Sequence, residues 1–271
     1  MRIRLVIVLI LAAAVTAYAS AAIAQKPQTT LTGAAQKFVG ETLRYEGKID
    51  KILRGVTVAE LTFSAEAVPG RPEIIIQSKA VSKGTLLKLF RFSFLQDYES
   101  LLDIDRFRIL RTRKHDVQKQ RVRDSEAVFN YQARIVTFVE SDPKDAMRPP
   151  RKIASEISDQ MYDMISAIYA VRLMPLAVGT RVELSVSDSG LVFRVPFVVA
   201  GREVQNTIFG KISTFRIEPE IFGPGRLIEQ KGSMTIWMTE DDRHLPIRAQ
   251  VQTDFGKANI KLKSYSKPLP R

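Results

Sequence analysis

The chain has 271 residues, 41 Lys and Arg against 29 Asp and Glu, a formal net charge of +12 and no cysteine. A chain this long can bury a core without covalent staples. The lack of cysteine excludes disulfides, thiolate metal sites, a cysteine nucleophile and a lipid-modified N-terminal cysteine.

The chain opens with Arg2 and Arg4, then an apolar run from Leu5 to Leu11 with the alanines that follow, then Ala22-Ile23-Ala24 before Gln25. That order of basic, apolar and small residues is the pattern of a secretory signal peptide, not of a membrane span. Residues 1–24 are therefore expected to be removed, leaving a chain that works in the periplasm or outside the cell. Its charge of +12 then drops by the two lost arginines and stays strongly positive. Such a charge is drawn to anionic surfaces through fields that salt screens. In that compartment the expected partners are a lipid or other anionic envelope component, or an envelope protein, and not nucleic acid.

Residues 25–37 read as a flexible lead-in, 38–265 as a single β-rich domain and 266–271 as a tail. No integral span is expected after signal removal. The most apolar later run, Leu191 to Ala200, is broken by Arg194 and Pro196, well short of the ~18 apolar residues that a span needs. A lipid-facing barrel is disfavoured by Glu60, Glu66, Lys257, Lys261 and Lys263 on the faces opposite the apolar ones.

Alternation of period two dominates from residue 42. Leu43, Tyr45 and Ile49 alternate with Thr42, Arg44, Glu46 and Lys48; Ala59, Leu61, Phe63, Ala65 and Ala67 alternate with Glu60, Thr62, Ser64 and Glu66. Ile74 to Ile76 open another strand after the Pro69-Gly70-Arg71-Pro72 turn. Residues 84–103 combine helix-like and strand-like signals. Ala127, Phe129, Tyr131, Ala133 and Ile135 give the clearest alternation, and the three prolines of Asp142 to Lys152 mark a loop between the halves.

One helix is predicted, with Ser158 as N-cap, Asp159 in its first turn and Met161, Met164, Ile165, Ile168 and Tyr169 on one face. Arg172 suits its C-terminal dipole and Pro175 stops it. Hairpins follow. Asp188-Ser189-Gly190 is a turn signal between Val182, Leu184, Val186 and Leu191, Phe193, Val195. Pro196 cannot donate to a ladder, so it belongs at an edge or bulge. In all, about ten to twelve strands are expected. They form an antiparallel meander closed or half-open into a barrel-like curved sheet, with the helix packed on or across it.

Three clusters resemble the exported bacterial family known as domain of unknown function 3108. They are Gly40-Glu41-x-Leu43-x-Tyr45, Asp159 with Tyr169-x-x-Arg172, and Gly232 before Ile236-Trp237-Met238 with Asp242 and Leu245-Pro246-Ile247-Arg248. The resemblance runs from about Phe38 to Lys263 and departs from the family at Gly47-Lys48-Ile49, where an aromatic residue is expected. It implies an exported, β-rich single domain and no established activity.

Two candidate sites follow from the residues. Arg106, Arg108, Arg111, Arg113, Lys114, Lys119, Arg121 and Arg123 stand among only two acids, Asp105 and Asp116. They form a candidate patch for an anionic partner, or else a solvated strand pair whose charge prevents aggregation. Met161, Met164, Ile165, Ile168 and Tyr169 form a candidate ligand-binding face, or else the face that plugs the sheet. His115 and His244 have no metal-ligand spacing. The acids Asp97, Glu99, Asp103 and Asp105, and Glu240 to Asp242, lack the spacing of a calcium loop. No nucleophile elbow or assembled acid–base set appears. Trp237 reads as a packed strand residue. The residues thus favour a non-enzymatic binding protein without cofactor or metal, holding a lipid-like envelope molecule. The other reading is an adaptor that docks a protein partner through its basic tract or a strand edge.

Overall fold

A computed structural model describes residues 33–49, 57–83, 94–219, 234–253 and 256–268. The expected signal segment 1–24 and the first part, 84–93, of the ambiguous stretch 84–103 lie outside them; 94–103 is strand.

The described strands are β1 (Thr42–Ile49), β2 (Thr57–Ala67), β3 (Glu73–Ser82), β4 (Phe94–Asp103), β5 (Arg108–Gln118), β6 (Arg121–Asn130) and β7 (Ile135–Ser141). The rest are β8 (Arg151–Glu156), β9 (Arg181–Asp188), β10 (Leu191–Thr207), β11 (Gly210–Pro219), β12 (Met234–Thr239), β13 (Pro246–Thr253) and β14 (Gly256–Ser266). Each pairs antiparallel with its neighbour, in the order β8-β7-β6-β5-β4-β3-β2-β1-β14-β13-β12-β11-β10-β9. The first and last strands thus meet in the middle, and the chain's midpoint supplies both edges. Bulges such as those between Leu101 and Leu102 and between Val199 and Gly201 bend and twist the strands, and the sheet curls without closing.

Where the edges approach, they overlap. Ser189 and Gly190 both have positive φ, as a tight two-residue hairpin turn requires. That turn packs on β7 and β8: a Cβ on Gly190 would lie 2.5 Å from Phe138 Cβ, and Ser155 Oγ donates to Gly190 O at 2.7 Å. Pro196 faces Glu183 of β9, and its missing N–H breaks no bond of the β10–β11 ladder, which among the described residues begins at Phe197.

Helix α1 (Met164–Arg172) closes one end of the curl. Its buried side joins Ile74, Ile76, Leu102, Ile109, Val136, Phe138, Leu184, Val186, Phe197 and Phe215 in the main core. A second cluster unites Leu43, Tyr45, Trp237, Leu245, Ile247 and Leu262 where the first and last strands meet. No helix among the described residues is long and apolar enough to cross a membrane.

Four local expectations are corrected. The helix begins five residues later than predicted, with Asp163 rather than Ser158 as N-cap. Residues 157–163 stay out of the helix, bending at 159–160, because their backbone bridges distant strands. Ile109 N donates to Met161 O at 3.0 Å, Tyr162 N to Ser185 O at 3.0 Å, and Ser187 N to Tyr162 O at 2.8 Å. Tyr131 and Ala133 are not strand residues: 131–134 is a turn, with Arg134 at positive φ and Ala133 N donating to Asn130 Oδ1 at 2.9 Å. Within the expected lead-in, Ala34–Phe38 forms a 3₁₀ turn in which Ala35 and Phe38 are fully buried. Arg151 and Lys152, read as loop, open β8.

Candidate functional site

The segment that enters α1 is held by side chains at both ends. Gln160 Nε2 donates to Phe107 O at 2.9 Å, and the Arg108 guanidinium donates to Asp159 O at 3.3 Å while stacking 3.8 Å from the centre of the Tyr131 ring. Asp163 then caps the helix. Its carboxylate accepts from Ile165 N at 3.0 Å, from Ser166 N at 2.6 Å and from the Ser100 hydroxyl. Ser166 Oγ in turn accepts from Asp163 N, a reciprocal capping box. Asp163 is fully buried. Burial pushes its carboxyl above the ordinary value, and the Ser100 and Ser166 hydrogen bonds only partly counter that.

At the other end of α1, Arg172 makes a bidentate pair with Glu41, at 2.5 and 2.7 Å. Both side chains are 2% exposed. The guanidinium lies 4.6 Å from the Phe38 ring and 4.9 Å from the Tyr169 ring. Lys37 Nζ and His244 Nδ1 approach Arg172 O at 2.9 and 3.2 Å. A carbonyl can only accept, so His244 carries its proton on Nδ1. Burial, and after it Lys37, lower the His244 pKa, against the hydrogen bond to Arg172 O.

The five residues of the predicted ligand face do not share one environment. Met161 is not on the helix; it and Tyr169 are buried core residues. Met164, Ile165 and Ile168 are only half-buried, as are Phe193, Met234 and Ile236 on the same inner side of the sheet. These six residues rim the core with apolar surface that the described residues leave partly open.

The eight cations of the basic tract are likewise dispersed. Arg106 and Arg108 lie at the α1 end, in or beside the β4–β5 turn; Lys119 and Arg121 lie at the opposite end, around the β5–β6 turn. Arg111 and Arg113 are on the outer face and pair with acids of neighbouring strands: Arg111 with Glu99 at 3.4 Å, Arg113 with Glu126 at 2.9 Å. Arg123 is paired with Asp142. Lys114 stands between Tyr98 and Ser125. It is on the inner face, and it has no acidic partner among the described residues.

Across the outer face of β3–β7 runs an open trough of about 610 Å³, lined by Gln77, Asp97, Glu99, Arg113, His115, Glu126 and their neighbours. His115 Nδ1 and Asp124 Oδ1 are 2.5 Å apart there, a pairing invisible in the sequence. Ser141 also lines the trough. The cross-strand order, however, is His115, Asp124, Ser141. The carboxylate therefore stands between the other two, and two strand gaps, about 10 Å, separate His115 from Ser141. A nucleophile needs its base within hydrogen-bond reach, so this geometry does not activate the serine. Trp237 is packed as expected: Nε1 donates to Glu203 at 2.7 Å, and Arg248 stacks on the ring at 4.5 Å. Among the described residues, no group of three or more His, Asp or Glu side chains is placed to hold a metal ion.

Comparison with solved structures places the fold. A β-barrel-like protein of domain of unknown function DUF1849 from Brucella abortus is similar, with a TM-score of 0.55 and 9% identity over 85% of this chain and 98% of that one. A putative exported protein with YmcC-like fold from Bacteroides fragilis aligns with a TM-score of 0.28 and 8% identity, over 84% of this chain and 96% of that one. No curated protein matches the sequence. Glu41, Tyr169, Arg172 and the 236–248 hairpin, read in the sequence as scattered motifs, are brought together by the fold. The stretch 42–263 matches "Protein of unknown function (DUF3108)", and the chain belongs to that family.

Proposed function

We propose that this protein is an exported, non-enzymatic binding protein that holds an amphipathic, anionic envelope molecule inside its curled sheet. The observation that carries the reading is the set of half-buried apolar side chains packed around the core, Met164, Ile165 and Ile168 on α1 and Phe193, Met234 and Ile236 on the strands. Isolated exposed apolar side chains are ordinary, but a group of them on a concave inner face is what a lipid-like tail fills. Lys114, on the inner face without an acidic partner among the described residues, suits the tail's anionic head. Export rests on the N-terminal basic-apolar-small pattern of residues 1–24.

The test is native mass spectrometry of the full gene product recovered gently from the periplasm. The expected result is a chain starting at Gln25 that carries one stoichiometric amphiphile. Replacing Ile165 and Ile168 by Asn should abolish retention without unfolding the protein. A mass that stays that of the bare chain after incubation with anionic phospholipid vesicles overturns the reading.

A further inference from the structure

An open sheet has two edges, and among the described residues the chain covers part of one of them. Along β9, Ser185 O and Ser187 N turn outward and are both taken by Tyr162. Along β8 there is no such cover among the described residues. Ile157 N donates to Arg134 O at 3.1 Å, continuing the β7–β8 register in which Val136 faces Ser155 and Phe138 faces Ile153. In an antiparallel ladder hydrogen-bonded pairs alternate with non-bonded ones. The backbone groups of Arg151, Ile153 and Ser155 therefore point to β7, and those of Lys152, Ala154 and Glu156 point to open space. All three of those residues are exposed. Lys152 and Glu156 make no ion pair among the described residues. The Gly190 turn touches Ile153 and Ser155, on the inner face, and leaves the edge open.

We propose that β8 is the seam of a homodimer, in which a second copy of this chain adds its own β8 antiparallel across a two-fold axis at Ala154. The sequence of the free positions decides the occupant. Lys152, Ala154 and Glu156 read basic, small, acidic, and a two-fold axis at the centre sets each Lys152 against Glu156 of the partner subunit. Opposite charges directly across a strand pair are stabilising, and a two-fold interface must match itself. A uniformly acidic or basic strand from another protein would satisfy one end and be repelled at the other. About six main-chain hydrogen bonds would join the copies, following the antiparallel pattern. The seam is short and each copy is strongly positive, with or without Arg2 and Arg4, so the dimer is reversible and dependent on concentration.

Sedimentation velocity of the full chain, up to about 300 µM, tests this. The expected result is a monomer–dimer equilibrium in the wild type. Ala154→Pro removes an outward N–H without touching the β7 ladder; it should give a monomer with an unchanged melting temperature. Lys152→Glu alone and Glu156→Lys alone should each weaken the dimer at least tenfold, and the two together should restore it. The proposal is overturned by a wild type that stays monomeric throughout, by a dimer that survives Ala154→Pro, or by a double reversal that fails to restore association.

Discussion

The two ends of α1 bury charge in opposite ways. At the C-terminal end Arg172 meets a full opposite charge, Glu41, across 131 residues of chain. At the N-terminal end Asp163 has hydrogen-bond donors alone: two backbone N–H groups of its own helix and the hydroxyls of Ser166 and Ser100. The first arrangement depends on long-range placement, the second mostly on three residues of local sequence. The pair also ties the 3₁₀ turn, the entry to β1 and the β12–β13 turn to one helix terminus, because Lys37, Arg243 and His244 all contact Arg172. A buried ion pair is weak support for stability in general but a strong device for fixing position.

The contrast is broken most severely at the paired end. Arg172→Met leaves Glu41 buried without its cation, and removing one member of such a pair costs about 3–5 kcal/mol. Adding Glu41→Leu should recover most of that loss, because two apolar residues replace the pair without an uncompensated charge. Urea unfolding of the two single variants and the double variant measures the coupling. A double variant as unstable as the sum of the singles would show that the two side chains act independently.

The capped end should break less. Asp163→Ala removes the N-cap, a loss of about 0.5–2 kcal/mol, and leaves the Ser100 hydroxyl short of an acceptor in the core. The same substitution relieves the burial of a carboxylate, so the net loss should fall near 2 kcal/mol, below that of Arg172→Met. Thermal unfolding of both variants ranks them. The reverse order would mean that the capping box, and not the ion pair, is what holds α1 in the curl.

Much of this architecture was legible because strands and helices write their periods into the sequence. The alternation at Leu43 and Tyr45, and at Val182, Leu184 and Val186, becomes β1 and β9; the Ser189-Gly190 turn forms as its residues require. Failures came where tertiary contacts overrode local preference. Ser158 and Asp159 look like a helix start, but the backbone of Met161 and Tyr162 is needed as a bridge between β5 and β9. Tyr131 continues an alternating run in sequence, yet its hydroxyl donates to Ile109 O at 2.7 Å and the chain turns there. Arg111 and Arg113 looked like members of a basic patch because their acids, Glu99 and Glu126, lie on other strands. Strand alternation did contain one overlooked signal, since it puts Lys114 on the face opposite Arg113. Nothing local could join Glu41 to Arg172. The capping box was also missed despite a local signature, Asp163-x-x-Ser166.

The smallest expected effect sharpens the comparison through pH. Burial raises the Asp163 pKa above the ordinary 3.8, so between those two values the folded protein holds a proton that the unfolded chain has released. Stability falls with rising pH wherever the native state binds more protons. Asp163 therefore contributes a loss that begins as pH rises through the ordinary carboxylate value and is complete once pH passes its raised value. Asp163→Asn keeps a good N-cap and cannot titrate. Relative to the wild type this variant should gain stability from about pH 4 upward until pH passes the raised value, and the difference should then stay level. Parallel urea titrations at several pH values read that slope, and taking the difference between the two proteins cancels every other titrating group. A difference independent of pH, or one of opposite sign, would mean that the Ser100 and Ser166 hydrogen bonds outweigh burial and that the charged carboxylate is welcome in the core.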